Sequence, residues 1–154
     1  MPTQSVQALS KRYNGISESI ITPVELENVF TKQAARTTGI WDTGATGSVV
    51  TKSMASMLGL KPIKRKLVRG VHGVKEVNVY PVKITLNNKN ITLQSDATEC
   101  DELFPDKSVG LLIGMNIITK GDFVVTNYQG STVMTFRVPS LQKIDFVAEI
   151  TDEQ

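Results

Sequence analysis

Residues 39–47, with the sequence GIWDTGATG, form the stretch that decides the fold. Asp42 comes directly after apolar residues and directly before small ones, an unusual position for an ionised surface carboxylate. Gly44 permits a positive φ angle and a close approach of the backbone. We therefore expect Asp42 on a tight loop at the mouth of a β-structured core, with loop N–H groups donating to its oxygens. Trp41, beside it, is expected in the core rather than in a pocket wall.

The residues around this loop favour strands. Thr, Val and Ile supply 45 of the 154 residues, whereas Leu and Ala together supply 18, a balance typical of β structure. Beyond a strand at Thr37–Trp41, the pattern predicts one at Ile20–Leu26, where Pro23 suits an edge or a bulge. A turn at 87–90 with a return strand at 91–94, and a hairpin of strands 123–126 and 132–138, are predicted as well.

One strand changes its hydrophobic parity. From Val74 onward the apolar positions are first Val77 and Val79, and then Val82, Ile84 and Leu86. Because side chains alternate between the two faces of a strand, this change predicts an extra residue at Tyr80–Pro81, in the form of a β-bulge.

Two short helices are predicted. Thr51 is a suitable cap for a helix over Lys52–Leu58, and Gly59 stands where helices end in a left-handed residue. Met54, Met57 and Leu58 are then expected to pack in the core. A second helix is predicted over Asn116–Lys120, whereas the segment 141–150 fits a strand and a helix equally well.

The counts of reactive residues exclude several classes of chemistry. Cys100 is the only cysteine and His72 the only histidine, so the chain cannot build a closed zinc site, a CxxC redox pair or an internal disulfide framework. The chain also contains no GxSxG motif, which argues against a Ser-His-Asp hydrolase. We expect no metal and no organic cofactor, and Cys100 is interpreted as an incidental reduced thiol. Without an apolar run of membrane-spanning length or a signal peptide's apolar region, the sequence favours a soluble cytoplasmic protein with no membrane partner.

Three motifs, in the loop of Asp42, at residues 68–74 and at residues 111–118, together resemble those of the aspartic proteases. Asp42-Thr43-Gly44-Ala45, preceded by hydrophobic residues, resembles the catalytic signature of that family, and Ala45 is closer to its retroviral, single-lobe branch, the retropepsins. Residues 68–74, VRGVHGV, are similar to the flap hairpin of these enzymes. Residues 111–118, LLIGMNII, resemble their second signature. The resemblance covers about residues 20–138.

The resemblance implies a fold and an activity. The fold is mostly β, a closed acid-protease-type β-barrel of a single lobe with one or two short helices. The implied activity is that of an aspartic endopeptidase which cleaves an extended peptide or protein substrate. Because the family's chemistry needs two Asp-Thr-Gly loops and this chain has one, the active form is expected to be a homodimer.

The resemblance also assigns roles to single residues. The catalytic set is Asp42, Thr43 and Gly44, with Asp42 as acid, base and activator of water. Substrate-binding residues are expected in the loop and at the hairpin tip: Ala45, Thr46, Gly70, Val71, His72 and Gly73. Ile113 and Gly114 are expected to support the loop, and His72 is interpreted mainly as an exposed turn residue. Since Ala45 lacks the hydroxyl that pepsin-like members carry there, we expect a mildly acidic to near-neutral pH optimum.

The chain departs from the viral enzymes in three features: a helix after the catalytic loop, an N-terminal extension and a C-terminal tail. The helix is similar to that of cellular and bacterial members. The expected organisation is an extension at 1–15, a retropepsin-like domain at 16–138 and a tail at 139–154.

The sequence also allows other functions to be considered for the glycine-rich loop and the basic segment. Residues 43–48, TGATGS, also match a nucleotide-binding glycine loop, but Val50 stands where a third glycine is expected and no P-loop lysine follows. The basic residues of 61–69 lack interleaved aromatic residues, which favours a solvated strand edge over a nucleic-acid interface. The main alternative is a non-catalytic β-barrel of the same fold that binds peptides or dimerises.

Overall fold

The computed structural model describes residues 5–152. Its strands are β1 (Gln7–Arg12), β2 (Ile21–Asn28), β3 (Ala34–Trp41), β4 (Ser48–Thr51), β5 (Lys64–Gly70), β6 (Gly73–Thr85), β7 (Thr92–Cys100), β8 (Val109–Ile113), β9 (Asp122–Thr126) and β10 (Val133–Val138). Its helices are α1 (Lys52–Met57), α2 (Met115–Ile118) and α3 (Phe146–Asp152). The expected strands and both expected helices are present.

Six strands close into a barrel. They follow the order β2-β3-β8-β4-β7-β6, and β6 pairs with β2 to complete the ring. β5 continues the sheet beyond β6 as the outer arm of a hairpin. Pro23 pairs with Thr38 of β3 but lies outside the part of β2 that pairs with β6, so its missing N–H interrupts no ladder. The expected single-lobe, mostly β barrel is confirmed.

The predicted bulge at Tyr80–Pro81 is wrong. Pairing between β6 and β7 runs without a shift from Val79, opposite Thr98, to Thr85, opposite Thr92. The parity change arises because both faces of β6 are covered at this point. Tyr80 and Val82 face the core, whereas Val79, on the opposite face, is also buried.

Helix α1 begins and ends as its sequence predicts. The Thr51 hydroxyl accepts a hydrogen bond from the Met54 N–H, and Gly59 has the left-handed φ of 59°. Met54 and Leu58 are buried, but Met57 is 59% exposed. The expectation that Met57 packs in the core is therefore wrong, because the side of this short helix that carries Met57 faces away from the barrel.

A three-stranded sheet, β1-β10-β9, packs beside the barrel. Trp41 joins the two parts, since its ring stacks on Phe123 at 5.4 Å and contacts Phe136 at 5.1 Å between centroids. Its indole N–H donates to the Thr22 hydroxyl at 3.0 Å. Trp41 is thus a core residue, as expected. Strand β1 lies within the first fifteen residues and pairs with β10 over its whole length.

The C-terminal tail is anchored at its start by Asp122 of β9. This carboxylate accepts hydrogen bonds from the Ser140 hydroxyl, from the Leu141 N–H at 2.9 Å and from Arg137 Nε at 2.7 Å. These donors lower the pKa of Asp122 to about 2. The tail then forms the exposed helix α3, and residues 1–4 and 153–154 of the predicted extensions lie outside the described residues. Within the described chain, no helix is long and apolar enough to cross a membrane.

Candidate active site

The Asp42 carboxylate lies on the loop that leaves β3. The backbone N–H of Asp42 donates to the Ile113 carbonyl at 2.9 Å, which extends the parallel pairing of β3 with β8 by one residue. Its Oδ1 accepts a hydrogen bond from the Gly44 N–H at 2.8 Å. The expected contact of the carboxylate with a loop N–H is therefore present. Asp42 is half-buried, and Thr43 and Gly44 are exposed.

Gly44 serves this loop by close approach and not by a positive φ angle. It is absent from the residues that adopt a left-handed conformation within the described chain. A Cβ added at Gly44 would stand 3.1 Å from Asp42 Oδ1, tighter than most real contacts. A side chain here would therefore press on the carboxylate.

Gly114 supports the same loop from below. A Cβ at this position would lie 2.2 Å from the Gly47 carbonyl oxygen and 3.0 Å from the Ala45 carbonyl oxygen. Its neighbours on α2 bind the loop, because the Met115 N–H donates to the Ala45 carbonyl at 2.7 Å and the Asn116 N–H to the Thr46 carbonyl at 3.0 Å. The structure thus brings Ile113 and Gly114 against residues 42–47.

A chain of hydrogen-bonded polar side chains, which the sequence motifs did not predict, holds this arrangement. The Gly114 N–H donates to the Ser48 hydroxyl at 3.2 Å, and that hydroxyl donates to Asn116 Oδ1 at 2.8 Å. Asn116 Nδ2 in turn donates to the Ser95 hydroxyl at 2.9 Å. Ser48 is buried. No local pattern pairs residues 48, 95 and 116, because three separate elements supply them.

A row of mostly apolar side chains, which we call the apolar row, crosses the sheet on the face that carries Asp42. Directly paired residues point to the same side of a sheet, and the register joins one member from each of six neighbouring strands. In order they are Ile40, Leu112, Val49, Thr98, Val79 and Lys64. The first four are only half-buried. Asp42 follows Ile40 by two residues, so its side chain begins on this same face.

The sequence carried a signal for this row. Ile40-Trp41, Val49-Val50 and Leu111-Leu112-Ile113 are adjacent apolar residues within strands. Such runs indicate strands with apolar side chains on both faces. One face of each strand fills the core, and the other forms the row.

The hairpin of β5 and β6 carries the remaining predicted residues at its tip. Gly70 pairs with Gly73, and Gly73 has a left-handed φ of 112°. Val71 is 99% exposed and His72 is exposed. Among the described residues, no hydrogen bond joins 70–73 to 42–46. The structure therefore does not bring the hairpin tip and the Asp42 loop into hydrogen-bonding contact within the described chain.

Cys100 has the environment of an unreactive thiol. Burial, followed by the negative charges of Glu102, Asp101 and Glu99, raises its pKa to about 11. The thiol donates to the Asp101 carbonyl at 2.9 Å. Among residues 5–152, no group of three His, Cys, Asp or Glu side chains is placed to hold a metal ion.

The nucleotide-loop alternative does not agree with the local fold. Residues 43–47 lead into the strand β4, and α1 begins only at Lys52. Phosphate binding of that kind needs the loop N–H groups at a helix N-terminus. The loop therefore lacks the helix that would bind the anion.

Comparisons with known proteins agree with this geometry. A family model described as "Aspartyl protease" matches residues 23–117, more than half of the chain. A retropepsin-like aspartic protease from Rickettsia conorii has a similar structure, with a TM-score of 0.56 at 13% identity over 90% of this chain and 99% of the other. The retroviral protease-like domain of Ddi1 from Leishmania major has a TM-score of 0.50 at 16% identity over 84% and 99%. A comparison with curated protein sequences found no match.

Proposed function

Because the chain belongs to the aspartyl protease family, we propose that it is an endopeptidase that acts as a homodimer through paired Asp42 carboxylates. The observation that carries the proposal is the construction of the Asp42 loop. The half-buried Asp42 carboxylate accepts a hydrogen bond from the Gly44 N–H, and Gly114 packs so closely against the loop backbone that no Cβ fits there. Such rigid support is what a catalytic group needs for accurate positioning.

The chemistry requires a second carboxylate. Two carboxyl groups about 3 Å apart cannot both ionise, so they share one proton. The ionised group then takes a proton from water, and the protonated one donates to the oxygen of the scissile carbonyl. The chain contains a single Asp-Thr-Gly sequence, so the second carboxylate must come from another copy.

A two-fold axis supplies that copy with the same geometry. An interface of this symmetry brings the same patch of both subunits together. Thr43 and Gly44 are exposed at the loop surface, where such an interface would meet them. In this arrangement Thr43 bonds across the axis, and Gly44 lets the peptide backbone approach.

The substrate lies between the apolar row and the hairpin. Ile40, Leu112 and Val49 offer half-buried apolar surface beside Asp42, which suits apolar side chains near the cleaved bond. The tip, Gly70 to Gly73, closes over the peptide with strand-like hydrogen bonds and excludes water. Ala45 and Thr46 contact the peptide from the loop side.

The test compares the wild type with Asp42→Asn on an unbiased peptide library between pH 3 and pH 8. We expect cleavage by the wild type that an inhibitor of the pepstatin kind blocks, and no cleavage by Asp42→Asn. Glu18→Gln is the matched control, because Glu18 is exposed and has no ion pair among the described residues. Sedimentation of the same samples measures dimerisation.

Two outcomes would contradict the proposal. Equal cleavage by the wild type and Asp42→Asn would remove Asp42 from the mechanism. A strict monomer that binds peptides without cleaving them would establish the non-catalytic module instead. A pH optimum near 2 to 3 would contradict the role given to Ala45 but not the mechanism.

A further inference from the structure

An excess of positive over negative charge lies in the hairpin of β5 and β6 and in the residues just before it. Residues 61–79 contain six of the seventeen Lys and Arg residues but only one of the fifteen Asp and Glu residues. The chain as a whole carries a net charge of only +2. This segment therefore produces a local positive electrostatic potential that attracts anionic groups.

The register divides these charges between two faces. Lys64 is opposite Val79, Lys66 opposite Val77, and Val68 opposite Lys75. We call the side formed by Lys64, Lys66, Val68, Lys75 and Val77 the lysine face. The opposite side, which we call the arginine face, consists of Arg65, Leu67, Arg69, Val74 and Glu76.

The lysine face continues the apolar row that begins beside Asp42. Lys64 and Val79 are members of that row, and Lys66 and Val77 form the next pair on the same side. The arginine face has the parity of Tyr80, whose side chain belongs to the core. A peptide bound against Asp42 therefore meets the lysine face.

The charges of the two faces are balanced differently. On the arginine face, Arg65 pairs with Glu76 at 3.5 Å, whereas Arg69 lies within 4 Å of no carboxylate among the described side chains. The hairpin residues of the lysine face include three lysines and no acid. Lysines on edge strands often prevent aggregation. That role would not require basic and acidic residues to be distributed differently on the two faces of the hairpin.

Neighbouring carboxylates engage two of the three lysines. Lys64 lies 3.7 Å from Asp96, and Lys75 lies 4.0 Å from Asp101. Asp101 is held more closely by Lys52, at 2.9 Å, so its hold on Lys75 is weak. No carboxylate among the described side chains lies within 4 Å of Lys66.

We propose that Lys66, assisted by Lys75, selects peptides that carry an acidic side chain beside apolar ones. The inference rests on the proposed function, because it assumes that the substrate lies along the Asp42 side of the sheet. Val77 is directly opposite Lys66, and Val68 is directly opposite Lys75. The face therefore combines apolar contact with a cation, Lys66, that has no carboxylate partner among residues 5–152. Lys66 is a specificity-determining residue and takes no part in the chemistry.

The test uses matched peptides with an apolar cleavage region in which one flanking residue is Glu, Gln or Lys. For the wild type we expect kcat/KM to be about tenfold higher with Glu than with Lys at the position that meets the lysine face. In Lys66→Glu the preference should disappear or reverse. In Arg69→Glu, which changes the same charge on the arginine face, it should stay within about twofold of the wild type. Raising the salt to about 0.5 M should reduce the wild-type preference.

Failure of this inference is distinguishable from failure of the proposed function. The same peptides are measured for binding to Asp42→Asn by fluorescence anisotropy, so charge selection is tested even if nothing is cleaved. No cleavage by the wild type would count against the proposed function. No preference for Glu in binding or cleavage, an unchanged preference in Lys66→Glu, or an equal change in Arg69→Glu would overturn the inference. Thermal unfolding of both variants confirms that each is folded.

Discussion

The substitution Gly114→Ala tests whether the loop of Asp42 depends on the close packing of Gly114 against its backbone. The added methyl would lie 2.2 Å from the Gly47 carbonyl oxygen and 2.7 Å from its carbon, against an ordinary contact of 3.4 Å or more. The obstructing atoms are backbone, so the loop or β8 must move by about 1 Å. Gly114 itself has an extended φ of −95°, and the cost is therefore steric and not conformational.

The expected loss in the free energy of unfolding of Gly114→Ala has two contributions. Overpacking of a tight site costs about 1–3 kcal/mol. Movement of the loop also weakens the hydrogen bonds that Met115 and Asn116 donate to it, each worth about 1 kcal/mol. We expect a loss of about 3 kcal/mol, which for a chain of this size lowers Tm by about 6–12 °C.

The assay is thermal unfolding at one fixed protein concentration, because the proposed dimerisation would make Tm concentration-dependent. Gly47→Ala is the matched control in the same loop. A Cβ there has no neighbour within 4 Å, and we expect a change within about 0.5 kcal/mol. A Tm for Gly114→Ala within about 2 °C of the wild type, or an equal loss in Gly47→Ala, would refute the reasoning.

Three further predictions concern other parts of the chain. With a pKa of about 11, Cys100 should react with iodoacetamide at pH 8 about 100-fold more slowly than an ordinary thiol, and equal rates in native and denatured protein would contradict this. The pKa of Asp122 is lowered to about 2, so its stabilising effect is complete above the unfolded pKa of about 4 and is lost as the pH falls toward 2. Tm of the wild type should therefore fall more steeply than that of Asp122→Asn between pH 5 and pH 2, and parallel curves would argue against it. Met54→Ala should lower stability by about 2–4 kcal/mol because Met54 is 7% exposed, whereas Met57→Ala should change it by less than about 0.5 kcal/mol; equal losses by chemical denaturation would count against the burial difference.

Much of the fold could be predicted from local sequence. The cap at Thr51, the left-handed Gly59 and the turn at 87–90 each depend on the chemistry of a few adjacent residues. The loop of Asp42 could be placed for the same reason, because a carboxylate between an apolar strand and a glycine has few other solutions. These features need no knowledge of distant partners.

Errors arose where a residue's surroundings come from distant segments. The parity change near Tyr80 predicts a bulge that is absent, since the sequence does not show that Val79 is buried on the second face of β6. The prediction of Met57 in the core is wrong because the helical period alone does not give the orientation of α1 against the barrel. For the segment at 141–150, the pattern alone could not choose between a strand and helix α3.

By itself, the sequence determined the β class, the single carboxylate loop and the order of the three motifs that identify the family. Only the tertiary structure decided which residues stand beside that carboxylate. Asn116 accepts the hydrogen bond of the Ser48 hydroxyl beneath this loop although the two residues are 68 positions apart along the chain, and the row from Ile40 to Lys64 takes one residue from each of six strands. Local sequence cannot specify such neighbours, because strand register depends on pairing between distant segments and a slip of one residue moves every side chain to the other face.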